Sequence, residues 1–354
     1  MPAPHPAARF PTLAALLWLA ACGSPSVGGP TADAPISAPS EQWTWVDFPN
    51  AVCGSGQATG LGVNRTERTR DLVIYLQGGG ACWDALTCLF GAAVHVRDGY
   101  QKAAFDAEPT LAADAFRRDV AANPLKDASW VFIPYCTGDL HAGDSVRTYE
   151  FLGDRATIHH AGHANTAAFL RRLGPTFTGA RRIFLVGSSA GGYGAQLNYQ
   201  AAVAAFPEAE VHLLADGAQL VTPAGTLWET WKAAWNTPLP AACPACASEA
   251  GALVGHLSTT HPDRRFALLA SMQDEVLRLF FGHDATAFSA VTATLLADRY
   301  DPSANARYFA IDTASHTMLG GLTTISGPAP GSVPLRDWVT AWRDGTAAWV
   351  SVGP

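Results

Sequence analysis

The chain is poor in charge: Asp, Glu, Lys and Arg together make up 15% of its 354 residues, against 48% hydrophobic. That balance excludes an intrinsically disordered chain, which has too little apolar surface to bury. No run of Lys or Arg gathers a local positive field, and 23 basic against 30 acidic residues leave a formal charge of -7. Nucleic acid is therefore excluded as the main partner. No apolar run reaches the roughly 20 residues that a bilayer-spanning helix requires. Internal repeats and a second linker are also lacking, which favours one large domain over two.

Several signatures of cofactor chemistry are missing too. The glycines at 78–80 are followed by neither GK[ST] nor a GxGxxG spacing, so a phosphate-binding loop fails. Cys243-Pro-Ala-Cys246 has no second CxxC and no His pair at zinc-finger spacing. His159-His160-Ala-Gly-His163 offers an i, i+4 His pair, but no Glu sits between them as HExxH requires. The expectation is a protein without metal or organic cofactor.

What is present begins at the N-terminus. Residues 12–21, TLAALLWLAA, follow Arg9 as a short apolar core and end in Leu19-Ala20-Ala21-Cys22-Gly23. The run reads as a signal peptide, and its end resembles the bacterial lipobox, whose Cys is lipid-modified and becomes the first mature residue. An ordinary signal peptide cut nearby is the alternative. Gly23 to Ser40 is rich in Gly, Ser and Pro, the composition of a flexible tether. The expected organisation is thus a signal peptide over 1–21, a tether over 22–42 carrying lipidated Cys22, and a folded domain over 43–354, beginning near Trp43. Such a chain is an exported bacterial lipoprotein at the outer membrane, periplasm or cell surface, touching the membrane through its anchor alone.

With Cys22 assigned to the anchor, six of the 7 cysteines remain. Six Cys in an exported chain suggest three disulfides. Cys82/Cys88 and Cys243/Cys246 are close enough to bridge locally, which leaves Cys53 to Cys136 by elimination.

Short apolar runs at 72–76, 130–134, 182–186, 211–215, 266–270 and 308–311 alternate with helical patterns at 162–173, 191–206 and 335–342. Continuous apolar strands separated by helices are what a parallel sheet covered on both faces requires. The fold class is α/β. The Pro-rich stretch at 236–246 reads as a disulfide-clipped excursion within that domain.

The strongest chemical signal is the strand Arg182-Ile-Phe-Leu-Val followed by Gly187-Ser188-Ser189-Ala190-Gly191 and a helical segment. Strand, GxSxG and helix in that order form a nucleophile elbow, with Ser189 central. A serine needs a His base, and the His needs an acid to fix its tautomer, in the chain order Ser, acid, His. Asp274, after the second strand beyond the elbow, is the favoured acid; Asp216 is the runner-up and otherwise a loop-capping residue. His316, just beyond the last strand, is the base, since His212 lies inside a strand and His256, His261 and His283 come before the last one. The backbone N–H of Ala190 and the loop Gln77-Gly78-Gly79-Gly80 supply an oxyanion hole.

These residues resemble the pectin acetylesterase and Notum family of α/β hydrolases. The likeness rests on LQGGGACW with Cys88, VFIPYCTGD at 131–139, GSSAGGYG, Leu214-Ala-Asp216-Gly217, Gln273-Asp274-Glu275 and Ser315-His316, in the family's order over roughly residues 70 to 320. It implies a disulfide-stapled α/β-hydrolase sheet, the triad Ser189, Asp274 and His316, and the amides of Gly79, Gly80 and Ala190 as the oxyanion hole. It also supports Cys82 to Cys88 and Cys53 to Cys136 as bridges. Two positions depart from the family's pattern: Gln77 stands where the family has an acid, and Trp83 follows the Cys where the family's aromatic comes directly after the glycines.

The function implied is a secreted serine esterase that removes an acyl group, acetyl foremost, from a polysaccharide or related alcohol through an acyl-enzyme. Long-chain deacylation is the alternative within enzymes, and a non-catalytic binding lipoprotein is the alternative outside them. Asp139 and His141 lie after a strand, either at the mouth of the site or on an exposed loop. Most of the 11 Trp, with Trp338 and Trp342 at helical spacing, read as core.

Overall fold

The structure is a computed structural model that describes Met1 and residues 34–91, 93–329 and 331–354. The signal run, Cys22 and the first part of the tether lie outside the described residues. Ten strands are found among the described residues: β1 (Thr44–Val52), β2 (Ala58–Asn64), β3 (Asp71–Leu76), β4 (Ser129–Ile133), β5 (Ser145–Phe151), β6 (Asp154–His160), β7 (Arg182–Ser188), β8 (Glu210–Asp216), β9 (Phe266–Ser271) and β10 (Ala306–Ile311). The α-helices are α1 (Ala85–Phe90), α2 (Lys102–Asp106), α3 (Gly162–Thr176), α4 (Ala190–Leu197), α5 (Tyr199–Ala205), α6 (Leu227–Trp235), α7 (Ala252–Thr260), α8 (Glu275–Phe281), α9 (Ala285–Leu295) and α10 (Leu335–Asp344).

Eight strands form one sheet in the order β1-β2-β4-β3-β7-β8-β9-β10, and β5 and β6 form a separate hairpin. From β4 to β10 every pairing is parallel; β1 and β2 join that edge antiparallel. The chain has the mostly parallel, helix-covered sheet of an α/β-hydrolase-like fold. All six strands expected from the sequence are present. Their apolar continuity has a direct cause, because β3, β4, β7, β8 and β9 are buried on both faces and the edge strand β10 is partly so. Leu72, Ile74 and Leu76 of β3 enter the core shared with Phe169 of α3 and Tyr199 of α5, whereas Val73 enters the opposite core with Phe184, Trp338 and Trp342.

The structure departs from the sequence reading in three places. The expected helix at 191–206 is two helices, because Asn198 between them turns its amide Nδ2 onto the carbonyls of His141 and Gly194, both close to 3 Å. The i, i+4 pair His159 and His163 does not share a helix: His159 and His160 belong to β6, and only His163 lies on α3. His160 is held between the hydroxyl of Tyr149 across the hairpin and the carbonyl of Thr137. The tether also joins the folded body before Trp43: Ile36 is buried, its N–H donates to Thr176 Oγ1 at 2.8 Å, and Arg172 reaches the carbonyl of Ala34. Ile36 is the apolar side chain in this Pro- and Ser-rich stretch that enters the core, and the two backbone contacts hold it there.

The three bridges Cys53–Cys136, Cys82–Cys88 and Cys243–Cys246 are all formed. The first ties the end of the β1–β2 hairpin to the end of β4. The other two close short loops, one after the glycines and one after α6.

Candidate active site

Ser189 sits between β7 and α4 at φ 56° and ψ -127°, a conformation that a non-glycine residue adopts only when its surroundings enforce it. What enforces it here is close approach. Its N–H donates to the carbonyl of Asp216 at 2.7 Å, and the helix behind it has Gly191 and Gly192 in its first turn. A Cβ on Gly191 would run into the carbonyl oxygen of Leu76 at the end of β3, and one on Gly187 into the carbonyl of Gly191. The small residues on either side of the serine thus let β3, β7 and α4 come together. Ser189 is half-buried and Ser188 is turned into the interior, where its hydroxyl donates to Asp216 Oδ2 at 2.8 Å.

Asp274 follows β9 and caps α8, accepting from the N–H groups of Val276 and Leu277 through Oδ1. Fully buried, it faces His316, whose Nδ1 lies 2.8 Å from Oδ2 and 3.0 Å from Oδ1. A carboxylate on Nδ1 puts the proton there and leaves Nε2 as the acceptor, the tautomer a general base needs. His316 is 19% exposed, so the ring borders solvent. Ser189 Oγ makes no hydrogen bond among the described residues, so the serine and imidazole are not yet joined; such contacts commonly tighten only with substrate.

Asp216, the runner-up acid, has a different task. It is fully buried, and its carboxylate accepts from Ser188 Oγ and from the N–H groups of Met318 and Leu319 at 2.7 and 3.1 Å. Thr317, just before those amides, has φ 65° and packs on Gly217. One residue thereby holds both the elbow and the turn that carries His316. Burial raises its carboxyl above the ordinary range, against the donors that lower it.

The glycine loop after β3 lies against the elbow, where a Cβ on Gly78 would come 2.9 Å from Ser189 Cβ. Gly79 and Gly80 have φ of 151° and 77°, and their N–H groups, like that of Ala190, have no acceptor among the described residues. Gln77 fastens the loop from below. Its Oε1 accepts from the N–H of Tyr135, its Nε2 donates to Glu108, and its own carbonyl receives His141 Nε2 at 2.8 Å. His141 must therefore carry its proton on Nε2, and burial lowers its pKa, so it is neutral. Asp139 and His141 are at neither the mouth nor the surface. Both are buried, Asp139 receiving Thr137 Oγ1 and the amides of Gly143 and Gly162.

Beside Ser189 an apolar cavity is lined by Tyr193, Trp231, Leu277 and Phe281 together with Gly80 and Ala190. None of these wall residues stands out in the sequence, because Trp228, Trp231 and Trp235 of α6 recur at the spacing of any core-facing helix. Trp83 packs against Trp231 at 5.3 Å between ring centroids and so backs this wall. Cys82, Cys88 and His160 cluster nearby, but the two sulfurs are bonded to each other and offer no thiolate to a metal.

The family model for pectinacetylesterase matches residues 42–235, which covers the glycine loop, the elbow and the tryptophan helix. The chain belongs to the pectinacetylesterase family. A curated relative, the palmitoleoyl-protein carboxylesterase notum1 of Xenopus laevis, is 25% identical over 158 residues, 42% of this chain. The aligned part spans 30% of that protein's length. In this pectinacetylesterase-family chain Asp274 and His316 lie beyond the matched span, so their pairing rests on the geometry alone.

Proposed function

We propose that the chain is a serine carboxylic-ester hydrolase that removes an acyl group, acetyl foremost, from a polysaccharide or related alcohol. The observation that carries this reading is the bidentate Asp274–His316 pair, borne on the segments that follow adjacent strands β9 and β10, beside a serine held in elbow geometry. Family membership and the name of the frog relative support ester hydrolysis. In this mechanism His316 Nε2 takes the proton of Ser189 as Oγ attacks the ester carbonyl. The N–H groups of Gly79, Gly80 and Ala190 receive the developing oxyanion, and His316 returns the proton to the leaving alcohol. Water, deprotonated by the same imidazole, then releases the acid. Export as a lipoprotein anchored at Cys22 belongs to the same proposal, and the intact mass of the membrane-extracted protein would reveal the acylated cysteine.

The catalytic test uses nitrophenyl acetate and a fluorophosphonate label. The wild-type protein should turn over the ester and take up the label, while Ser189→Ala should lose at least ~10³-fold in kcat. Equal rates in the two proteins would overturn the assignment.

A further inference from the structure

The sequence has no run of Lys or Arg, but the fold gathers these residues at one end of the sheet. Strands β3, β4, β7, β8, β9 and β10 are parallel, so all six start at that end and finish at the end that bears Ser189, Asp274 and His316. Arg65 follows β2, which runs antiparallel to β4 and so ends where β4 starts; Arg70 immediately precedes β3, and Arg181 immediately precedes β7. The N–H of Arg181 donates to the carbonyl of Arg70, and Arg65 and Arg70 line one pocket with Thr69, Thr176 and Thr178. None of these three guanidinium groups has an ion-pair partner among the described residues. Many carboxylates of this end are already engaged: Glu41 and Asp127 by Arg68, Asp71 by Arg182 and Asp344 by Arg343. Glu67, Glu208, Glu210 and Asp263 stay outside such Arg pairs, but Arg118, Lys126, Arg264, Arg265 and Arg307 join the three arginines against them. A chain whose formal charge is -7 thus carries a cationic excess at this one end.

The N-terminal segment enters the folded body at the same place. Ile36 donates its N–H to Thr176 at the rim of the pocket, Arg172 holds the carbonyl of Ala34, and the N–H of Glu41 reaches the carbonyl of Arg65. Residues 23–33 separate this entry point from Cys22 and span at most about 40 Å. Ser189 lies at the far end of β7, whose seven residues rise about 20 Å.

We infer that this end is a docking face for an anionic phospholipid bilayer, with Arg65, Arg70 and Arg181 against the headgroup phosphates and the active site facing away from the lipid. The inference rests on the export and Cys22 anchor of the reading above and adds to them the surface that orients the enzyme. A single acyl chain holds a protein to a bilayer only marginally, and a basic patch supplies the second attachment. Each Arg brought near an anionic surface strengthens binding several-fold. The consequence for function is that the ester belongs to a molecule outside that bilayer, because the whole length of the sheet separates the lipid from Ser189.

The test follows residues 23–354, which keep the tether and the whole folded body but lack the anchor, by sedimentation with vesicles. Vesicles of mixed phosphatidylglycerol and phosphatidylcholine should bind the protein, pure phosphatidylcholine should not, and added salt should release it. Arg70 and Arg181 are both exposed, and Arg70→Glu combined with Arg181→Glu should weaken the binding at least ~10-fold. Arg97→Glu combined with Arg155→Glu makes the same change of net charge on exposed segments that follow β3 and β4, and should leave the binding unchanged. Hydrolysis of nitrophenyl acetate should proceed equally with and without vesicles, because the site stays open to water. Equal weakening by the two pairs, no preference for the anionic vesicles, or loss of activity on binding overturns the inference. So does release by glycerol phosphate at constant ionic strength, which would make a soluble phosphate the ligand. Failure of the anchor reading looks different: the intact mass would show no acylated cysteine, while the vesicle result, obtained without Cys22, would stand.

Discussion

At the scale of single residues, the strands after the elbow end in two acids, and the structure divides the work between them. Asp274 has the shape of a tautomer-fixing partner, because its oxygens face His316 Nδ1 and the capping amides of α8. Asp216 positions other groups. Three donors converge on its carboxylate, two of them the backbone amides that follow His316. Asn at this position keeps the size but replaces one accepting oxygen with a donor, so either an amide or the Ser188 hydroxyl loses its partner. A hydrogen bond to a charged group contributes about 1.5–3 kcal/mol, so Asp216→Asn should lower kcat by roughly 10–100-fold through a displaced His316 turn. KM should change little, since the cavity walls do not touch Asp216. Steady-state kinetics decides between this and a binding role, in which KM would rise at constant kcat.

At the scale of elements, the cross-links should separate stability from site geometry. Cys53–Cys136 closes 83 residues and Cys243–Cys246 only 3. Chain entropy alone assigns them about 4.5 and about 1.6 kcal/mol, respectively. Replacing both cysteines of the long bridge by Ser should therefore lower the urea midpoint far more than replacing both of the short one; equal losses would contradict the entropic account. The same contrast explains what the sequence made legible. Strands buried on both faces, such as β3 and β7, carry unbroken apolar runs and could be read directly. By contrast, β1 mixes half-buried and exposed positions with only Phe48 and Ala51 buried, and β2 carries two glycines in seven residues, so neither produces such a run. The positions of Ser189, Asp274 and His316 after β7, β9 and β10 were legible because places at strand ends follow from the fold. The wall of the cavity beside Ser189 was not, because a tryptophan that lines a cavity and one that faces the core obey the same helical spacing. His141 was hidden for a related reason: its contact with the carbonyl of Gln77 joins residues 64 apart, which no local pattern records.

At the scale of the whole molecule, buried groups set how stability responds to acid: His212 and Asp216 of the central sheet act with opposite signs, and His141 and His160, whose pKa values burial also lowers, act in the same sense as His212. His212 lies on β8 with no exposure, its pKa lowered to about 2 by burial first and then by Arg265, Arg264 and Arg182. Glu210, 3.4 Å away, does not rescue the charged form, since that carboxylate is itself 53% exposed and screened by water. The folded state therefore keeps His212 neutral while the unfolded chain takes up a proton below its ordinary 6.5, and stability falls as pH drops through that value. Asp216 works the other way. Its raised carboxyl binds a proton in the folded state before it would in the unfolded chain, so its contribution improves as pH falls toward the ordinary 3.8. Between pH 6.5 and the carboxylate range His212 outweighs Asp216, because each pH unit in that window costs up to about 1.4 kcal/mol for such a histidine. Of the stability lost in urea unfolding between pH 7 and pH 5, His212 alone should account for a part on the order of 2 kcal/mol. In His212→Gln, which keeps a polar side chain but cannot titrate, that loss should shrink to the part contributed by the remaining groups. An acid response identical in the two proteins would mean that His212 is charged in the folded sheet.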